Sequence, residues 1–379
     1  LANNYVISSN WQRDTLEIAE GTLPTVNVAV ALWNANTAKQ NLLDLLERHK
    51  SAGKTFDTSP ALTYSLVYTG GAYAGGVMAP DGTIHLVPSG ANRGQKIAPD
   101  GTVSTYSLVY TAASSYWGGC LMPNGEIHFV PYFANRGQKI DPNGTVSTYS
   151  LVFTDGSNGA YNGGVIAPNG DMHFIPYNAV VGQKVSPAGV VSTYTLAYTN
   201  NFNDYLGGVL SPTGEIHFVP HNSGYGQKIA VDGSVSTYSL VYTASNAYGG
   251  GVIAPNGDIH FVPYNANRGQ KVALDGTVST YSLVYTRSNA YIGGVLAPNG
   301  DIHFAPLSAA VGQKIAPDGT VSTYTIAQTT INRHYGGILD LNGDMHLGIF
   351  ASVVGQKIHT WSVMPFDLGT LTSPFFNKF

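Results

Sequence analysis

Short apolar runs, divided by glycine turns, recur along the chain from about Thr63 to Ile358. One unit reads, from Tyr248, YGGGVIAPNGDIHFVPYNANRGQKVALDGTVSTYSLVYT. It holds four runs: Gly250 to Ala254, Asp258 to Pro263, Gly269 to Ala273 and Thr277 to Thr286. Their short length and their β-branched and aromatic content suit strands. Asn256-Gly257 and Asp275-Gly276 fit two-residue hairpin turns. Each unit is therefore predicted to make four antiparallel strands. The histidine of the second run recurs at His85, His128, His173, His217, His260, His303 and His346, in steps of 43, 45, 44, 43, 43 and 43 residues. A fixed period in this range with several strands per unit marks a propeller. The predicted fold is all-β, a seven-bladed β-propeller of four-stranded antiparallel blades.

The paired glycines place the first run innermost, because strands crowd at a propeller axis and only small residues let backbones approach. With strands a to d counted from axis to rim, the a–b and c–d turns share one face. The longer d–a and b–c loops share the other, and that long-loop face is the expected binding face. The last unit differs. Lys357 is followed by Thr360 without a c–d turn, while an additional TYSLVYT stands at Thr63 to Thr69. This strand is expected to pair with Gln356 to Met364 and close the ring, which removes an exposed sheet edge. The chain then divides into a 1–60 extension, a 61–364 propeller and a 365–379 tail. In the extension a helix is expected over about Thr37 to Lys50, with Asn36 as N-cap, Gly53 beyond its end and Ala38, Leu42, Leu45, Leu46 and His49 on one stripe. The tail carries Phe366, Phe375, Phe376 and Phe379.

Composition narrows the function. Charged residues make up 11% of the chain and the net charge is −4 at pH 7, which argues against a nucleic-acid partner. No apolar run is long enough to span a membrane. The single cysteine, Cys120, rules out an internal disulfide framework and reads as a small core residue. A neutral surface rich in Tyr, Asn and Gly suits an extracellular or virion-surface protein.

The repeated histidines are assigned to structure. Each sits in its own blade, too far from the others to share an ion, and a buried imidazole can bond a Ser or Thr hydroxyl of VSTYS. No metal or cofactor is expected. Lys96, Lys139, Lys184, Lys228, Lys271, Lys314 and Lys357 recur in GQK, and Glu126, Asp171, Glu215, Asp258, Asp301 and Asp344 precede the histidines. Blade-to-blade ion pairs are expected from them, or lysines that reach out to solvent. Loop aromatics are the ligand-binding candidates. Tyr73, Tyr116, Tyr161, Tyr205, Tyr248 and Tyr291 stand two residues before each glycine pair, with His334 in the seventh unit. Tyr132, Tyr177 and Tyr264 lie in b–c loops, with His221 in the fourth unit. Arg93, Arg136 and Arg268 follow Asn92, Asn135 and Asn267. Rings stack on apolar faces, while amides and guanidinium groups read hydroxyls and carboxylates. The alternative role for the strand tyrosines is as wedges between blades. Asn143 in Asn-Gly-Thr matches a glycosylation acceptor.

The stretch GGVLAPNGDIHF at Gly293 to Phe304, with Pro306 beyond it, resembles a repeat of uncharacterised, propeller-like GGVLAPNG-type proteins of bacteria, protists and viruses. Their repeat usually reads GGVLAPNGKIY and then a proline, so this chain carries His where they have Tyr. The resemblance covers 63–358. It implies the fold and no assigned activity.

Catalysis needs a site that breaks the repeat symmetry, and no convergent acid pair or activated nucleophile is visible. Near-identical units offer near-identical pockets, which favours multivalent binding. The expectation is a non-enzymatic recognition propeller that binds a glycan or surface receptor. The alternative is a structural virion or surface-assembly component that contacts other such proteins through 1–60 and 365–379. A glycan hydrolase ranks third.

Overall fold

The computed structural model describes residues 8–10, 15–17, 61–69, 72–156, 158–200, 202–327, 334–349 and 354–360. Residues 1–55 form a compact unit of their own, in which Ser8–Asn10 pairs antiparallel with Thr15–Glu17. The helix expected over 37–50 and the aromatic tail lie outside the described residues. Residues 56–379 form the second unit, whose described strands make a ring of seven four-stranded antiparallel blades.

Blade 5 stands for the ring. Its strands are Tyr248–Ile253, Ile259–Pro263, Arg268–Val272 and Val278–Ser282, bonded in that order. The inner strand is crowded. Gly250 has φ +128°, and a Cβ there would stand 3.0 Å from the Gly293 Cα of the next blade. Any side chain would force the blades apart, so the glycine pair sets the axial spacing.

The outer strand is shorter than the apolar run that encodes it, because the chain leaves the sheet after Ser282. The next blade explains why. The fully buried Gln313 of blade 6 accepts hydrogen bonds from the Val284 and Tyr285 backbone N–H at 3.0 and 2.8 Å. Gln95, Gln138, Gln183 and Gln270 hold the corresponding pair of N–H groups of the preceding blade. The glutamine of GQK is thus a blade-to-blade clamp.

The lysine of the same motif works within its own blade, against the expected blade-to-blade pairing. Lys271 Nζ stands 2.7 Å from Asp258 Oδ2, because antiparallel register places Lys271 opposite His260, two residues beyond Asp258. The glycine of GQK leaves room for an aromatic ring. Gly269 lies opposite Tyr281, whose ring would be 2.1 Å from any Cβ added there. That ring reaches across to His260 Nδ1 at 3.1 Å. The histidines' hydroxyl partner is therefore this tyrosine, not the expected Ser or Thr. The same bond is made by His128, His173, His217, His303 and His346 at 3.1 to 3.3 Å.

In blade 7 the strands His334–Leu339, Asp344–Ile349 and Val354–His359 are completed by Ala61–Ser65 from the other end of the array. Thr63 faces Gln356 and Ser65 faces Val354. The pairing starts before Thr63 and stops at Ser65, since Val67 and Tyr68 are taken by the Gln95 clamp of blade 1.

Candidate functional site

The six strand tyrosines do not form a ligand surface. Tyr73, Tyr116, Tyr161, Tyr205, Tyr248 and Tyr291 are all 0% exposed. Each packs in a blade core; Tyr248, for example, lies 5.5 Å from Phe261. Their hydroxyls bond at the start of strand c: Tyr73 donates to Arg93 O at 2.8 Å and Tyr161 to Val181 O at 3.0 Å. This corrects their assignment as ligand contacts. The ring has nowhere to go but the core once strand a pairs Tyr248 with Pro263. Arg93, Arg136 and Arg268 are exposed at the starts of their strands.

The b–c loop aromatics converge instead. Backbone bonds fix their position from two sides. Tyr264 N donates to Ala247 O in its own blade at 2.9 Å, and Ala290 N of the next blade donates to Tyr264 O at 2.8 Å. The same next-blade bond holds Ser89, Tyr132, Tyr177 and His221. The residue after each of the six strand tyrosines, and after His334 in blade 7, holds the same place on strand a: Ala74, Trp117, Asn162, Leu206, Gly249, Ile292 and Tyr335. Contacts then cross the ring. Trp117 stacks on Tyr132 with centroids 4.1 Å apart and planes 12° apart, and it stands 5.1 Å from Tyr335. Asn162 Nδ2 of blade 3 donates to Tyr335 Oη of blade 7 at 3.1 Å. Leu206, Ile292 and Leu307 pack together with Tyr177, Tyr264 and Tyr335. Six blades thus build one aromatic mouth on the long-loop face.

His221 is the imidazole of this mouth. Its ring lies 6.1 Å from Tyr177 and 5.2 Å from Tyr264. Its Nδ1 is 2.7 Å from Tyr248 O. A carbonyl only accepts, so Nδ1 carries the proton and Nε2 keeps its lone pair. Burial pushes this imidazole down to about 4, so it is neutral at neutral pH. Burial also raises the Tyr132, Tyr177, Tyr264 and Tyr335 phenols, which therefore keep their protons.

Residue variation carries the signal for Trp117, Asn162 and Tyr335, which were not among the sequence candidates. Across near-identical units, the inner-strand position they occupy holds a different residue in all seven copies. The neighbouring b–c position varies too: Ser89, Tyr132, Tyr177, His221, Tyr264, Leu307. The repeat keeps its scaffold and changes at the mouth. The buried histidine ring, by contrast, stays uniform. Among the described residues no group of three or more His, Cys, Asp or Glu is arranged to hold a metal ion, and no helix is long and apolar enough to cross a membrane.

Residues 59–355 match the model of the virginiamycin B lyase family, a different family from the GGVLAPNG-type repeat proteins. No curated protein matches the chain. Among solved structures, a streptogramin B lyase is similar with a TM-score of 0.69 at 19% identity, over 78% of this chain and 96% of that one. A catalytically inactive histidine-to-alanine variant of virginiamycin B lyase from Staphylococcus aureus, solved with quinupristin, gives a TM-score of 0.69 at 17% identity, over 79% and 98%. The extracellular domain of a putative one-component system from Bacteroides thetaiotaomicron gives 0.60 at 10% identity, over 81% and 40%. These likenesses establish the propeller fold. The family match overturns the expectation of a non-enzymatic protein, because the family is one of lyases. Sequence reasoning looked for a nucleophile or paired acids and did not weigh a neutral imidazole among phenols.

Proposed function

The chain belongs to the virginiamycin B lyase family, and from that premise we propose that it is a lyase-type enzyme acting at the axial mouth of the long-loop face. A lyase breaks a bond by elimination: a base removes a proton, and the leaving group departs with a proton or a hydrogen bond supplied to it. His221 Nε2 is the base in this reading. Tyr177 and Tyr264, on either side of it, donate to the departing atom. Trp117, Tyr132 and Tyr335 give the substrate an aromatic platform, on which a ring or apolar group seats by stacking.

One observation carries the reading: the two positions that vary among near-identical repeats meet at this mouth, and they bring a single imidazole between two phenols. Streptogramin-type antibiotics are the first substrate class to try, since quinupristin accompanies the inactive S. aureus relative. The test incubates the intact protein with quinupristin and follows substrate and product by mass spectrometry. Elimination conserves mass, whereas hydrolysis adds one water. Turnover without added water, lost in His221→Ala and retained in His49→Ala, is the expected result. Turnover that survives His221→Ala removes the imidazole from the mechanism. For other substrates, Trp117 fluorescence reports occupancy of the mouth.

A further inference from the structure

On the opposite face, where the tight turns lie, His217, Glu215 and Lys228 of blade 4 stand against the apolar residues Ile259, Val272 and Leu274 of blade 5. Between blades 4 and 5 this contact opens into a cleft of about 70 Å³. We propose that this cleft binds a polyhydroxylated small molecule, a sugar ring or a linear polyol, independently of the lyase reading.

Blade 4 departs from blade 5 at three residues beside this cleft. Ser211, Thr213 and Glu215 stand where blade 5 has Ala254, Asn256 and Asp258. In blade 5 the carboxylate is tied down twice, by Lys271 at 2.7 Å and by Asn256 Nδ2 at 3.1 Å. Blades 3 and 6 repeat that arrangement through Asn169 and Asn299. In blade 4 Thr213 has no amide to offer, and its hydroxyl bonds Ser211 Oγ at 2.7 Å instead. Glu215 is held by Lys228 at 2.7 Å through Oε1. Its other oxygen, Oε2, stands 3.7 Å from His217 Nε2, beyond hydrogen-bond reach. Blade 2 has the same residue there and closes that gap, since Glu126 Oε2 reaches His128 Nε2 at 3.0 Å. Blade 4 therefore presents a carboxylate oxygen, an imidazole nitrogen and two hydroxyls around one small space.

The facing wall has the opposite character. Ile259, Val272 and Leu274 of blade 5 line it. Leu274 is itself a departure, because the same turn position is Pro99, Pro142 and Pro317 in blades 1, 2 and 6. A sugar or polyol has this pairing of surfaces: hydroxyls along an edge, and C–H groups on a face. Carboxylates are strong acceptors for such hydroxyls, since the charged acceptor shortens and strengthens the bond. Lys228 lowers the Glu215 carboxyl below its ordinary value, so the acceptor is ionised at neutral pH. A simple anion fits less well, because Glu215 already neutralises Lys228. A glycan ligand was expected on the long-loop face; this chemistry sits on the other one.

The test uses the intact protein and ligand-observed saturation-transfer NMR. The probes are methyl glucoside, methyl galactoside and methyl mannoside as sugars, glycerol and sorbitol as free polyols, and sodium acetate as an anion. The comparison protein carries Ser211→Ala, Thr213→Asn and Glu215→Asp, the blade 5 residues. Transfer to at least one sugar or polyol is expected, weakened about tenfold or more in the comparison protein with its melting unchanged. The two probe sets tell a sugar ring from a linear polyol. No transfer to any sugar or polyol, equal transfer to both proteins, or binding of acetate alone overturns the proposal. Should the triple variant not fold, Leu274→Pro tests the apolar wall, and unchanged sugar or polyol binding in it overturns the proposal equally.

Discussion

The histidine ring makes the propeller sensitive to mild acid. Burial pushes the imidazoles of His85, His173, His217, His221, His260 and His303 from 6.5 down to about 4. The neighbouring lysines of the five ring histidines push the same way, and the adjoining carboxylates only partly oppose it. A depressed folded-state value means that the unfolded chain binds the proton more readily. Stability is therefore complete above about pH 6.5 and is lost as the pH falls from there toward 4. The linkage relation gives roughly 1 kcal/mol lost per histidine at pH 6 and roughly 2 kcal/mol at pH 5. Six such groups together lose roughly 5 kcal/mol at pH 6 and on the order of 10 kcal/mol at pH 5, against a typical total stability of about 5–15 kcal/mol. The melting temperature should fall by about 10 °C between pH 7.5 and pH 6, and the ring should unfold cooperatively near pH 5. Calorimetric or circular-dichroism melts across this range measure it. Glu126 does not produce the effect in this window, because its bonds to Lys139 and His128 hold its carboxyl down to about 2 and it stays charged throughout. A His260→Phe variant should lessen the pH slope near pH 5 by about one proton, or about 1.4 kcal/mol per pH unit. A melting temperature that holds within a few degrees from pH 7.5 to pH 5 would refute the assignment of these imidazoles as buried and neutral.

Three further outcomes follow from the same contacts. Gln270→Ala leaves the Val241 and Tyr242 N–H groups without their acceptor and should cost about 2–4 kcal/mol in denaturant unfolding; a cost under about 0.5 kcal/mol would show that the clamp carries no stability. Tyr248→Ala should cost about 3–5 kcal/mol, and Tyr248→Phe only about 1 kcal/mol, since it loses the bond to Arg268 O but keeps the packed ring; equal costs would mean that the hydroxyl dominates. Removing residues 1–65 takes away the outer strand of blade 7 and the Tyr64 partner of His346, and the shortened chain should lose its cooperative melt.

The architecture was legible because its determinants are local and repeated. Asn256-Gly257 names a turn, Gly250 names a close approach, and the short link from Lys357 to Thr360 names the missing strand. What stayed hidden was which side chain meets which. Tyr248 and Tyr264 look alike in a string of letters. One begins a strand and turns into the core; the other sits in a loop and turns toward the axis. The glutamine of GQK was read past altogether, since its partners lie 28 residues away in another blade. The repeated acids and lysines suggest ion pairs between blades, but Asp258 and Lys271 pair within one blade, and seeing that needs the register of strands b and c.

The candidate site was the hardest to see, and the reason is physical. A repeat protein is stabilised by what its copies share, because each blade must present the same faces to its neighbours. The conserved elements of the unit are therefore the scaffold: the glycine pair, the histidine with its tyrosine, and the glutamine clamp. Chemistry on a specific substrate requires the opposite, a place where the copies differ. Here that place is held rigidly. The varying b–c residues hang from backbone bonds repeated around the ring, such as Ala247 N to His221 O at 2.7 Å and Ala290 N to Tyr264 O at 2.8 Å. A change of side chain at such a position alters the mouth without moving the backbone. An imidazole thus replaces a phenol at the same lattice point, and it does so only in blade 4. The same logic applies on the tight-turn face, where Ser211, Thr213 and Glu215 of blade 4 and Leu274 of blade 5, which differ from their counterparts in most sister blades, line one cleft.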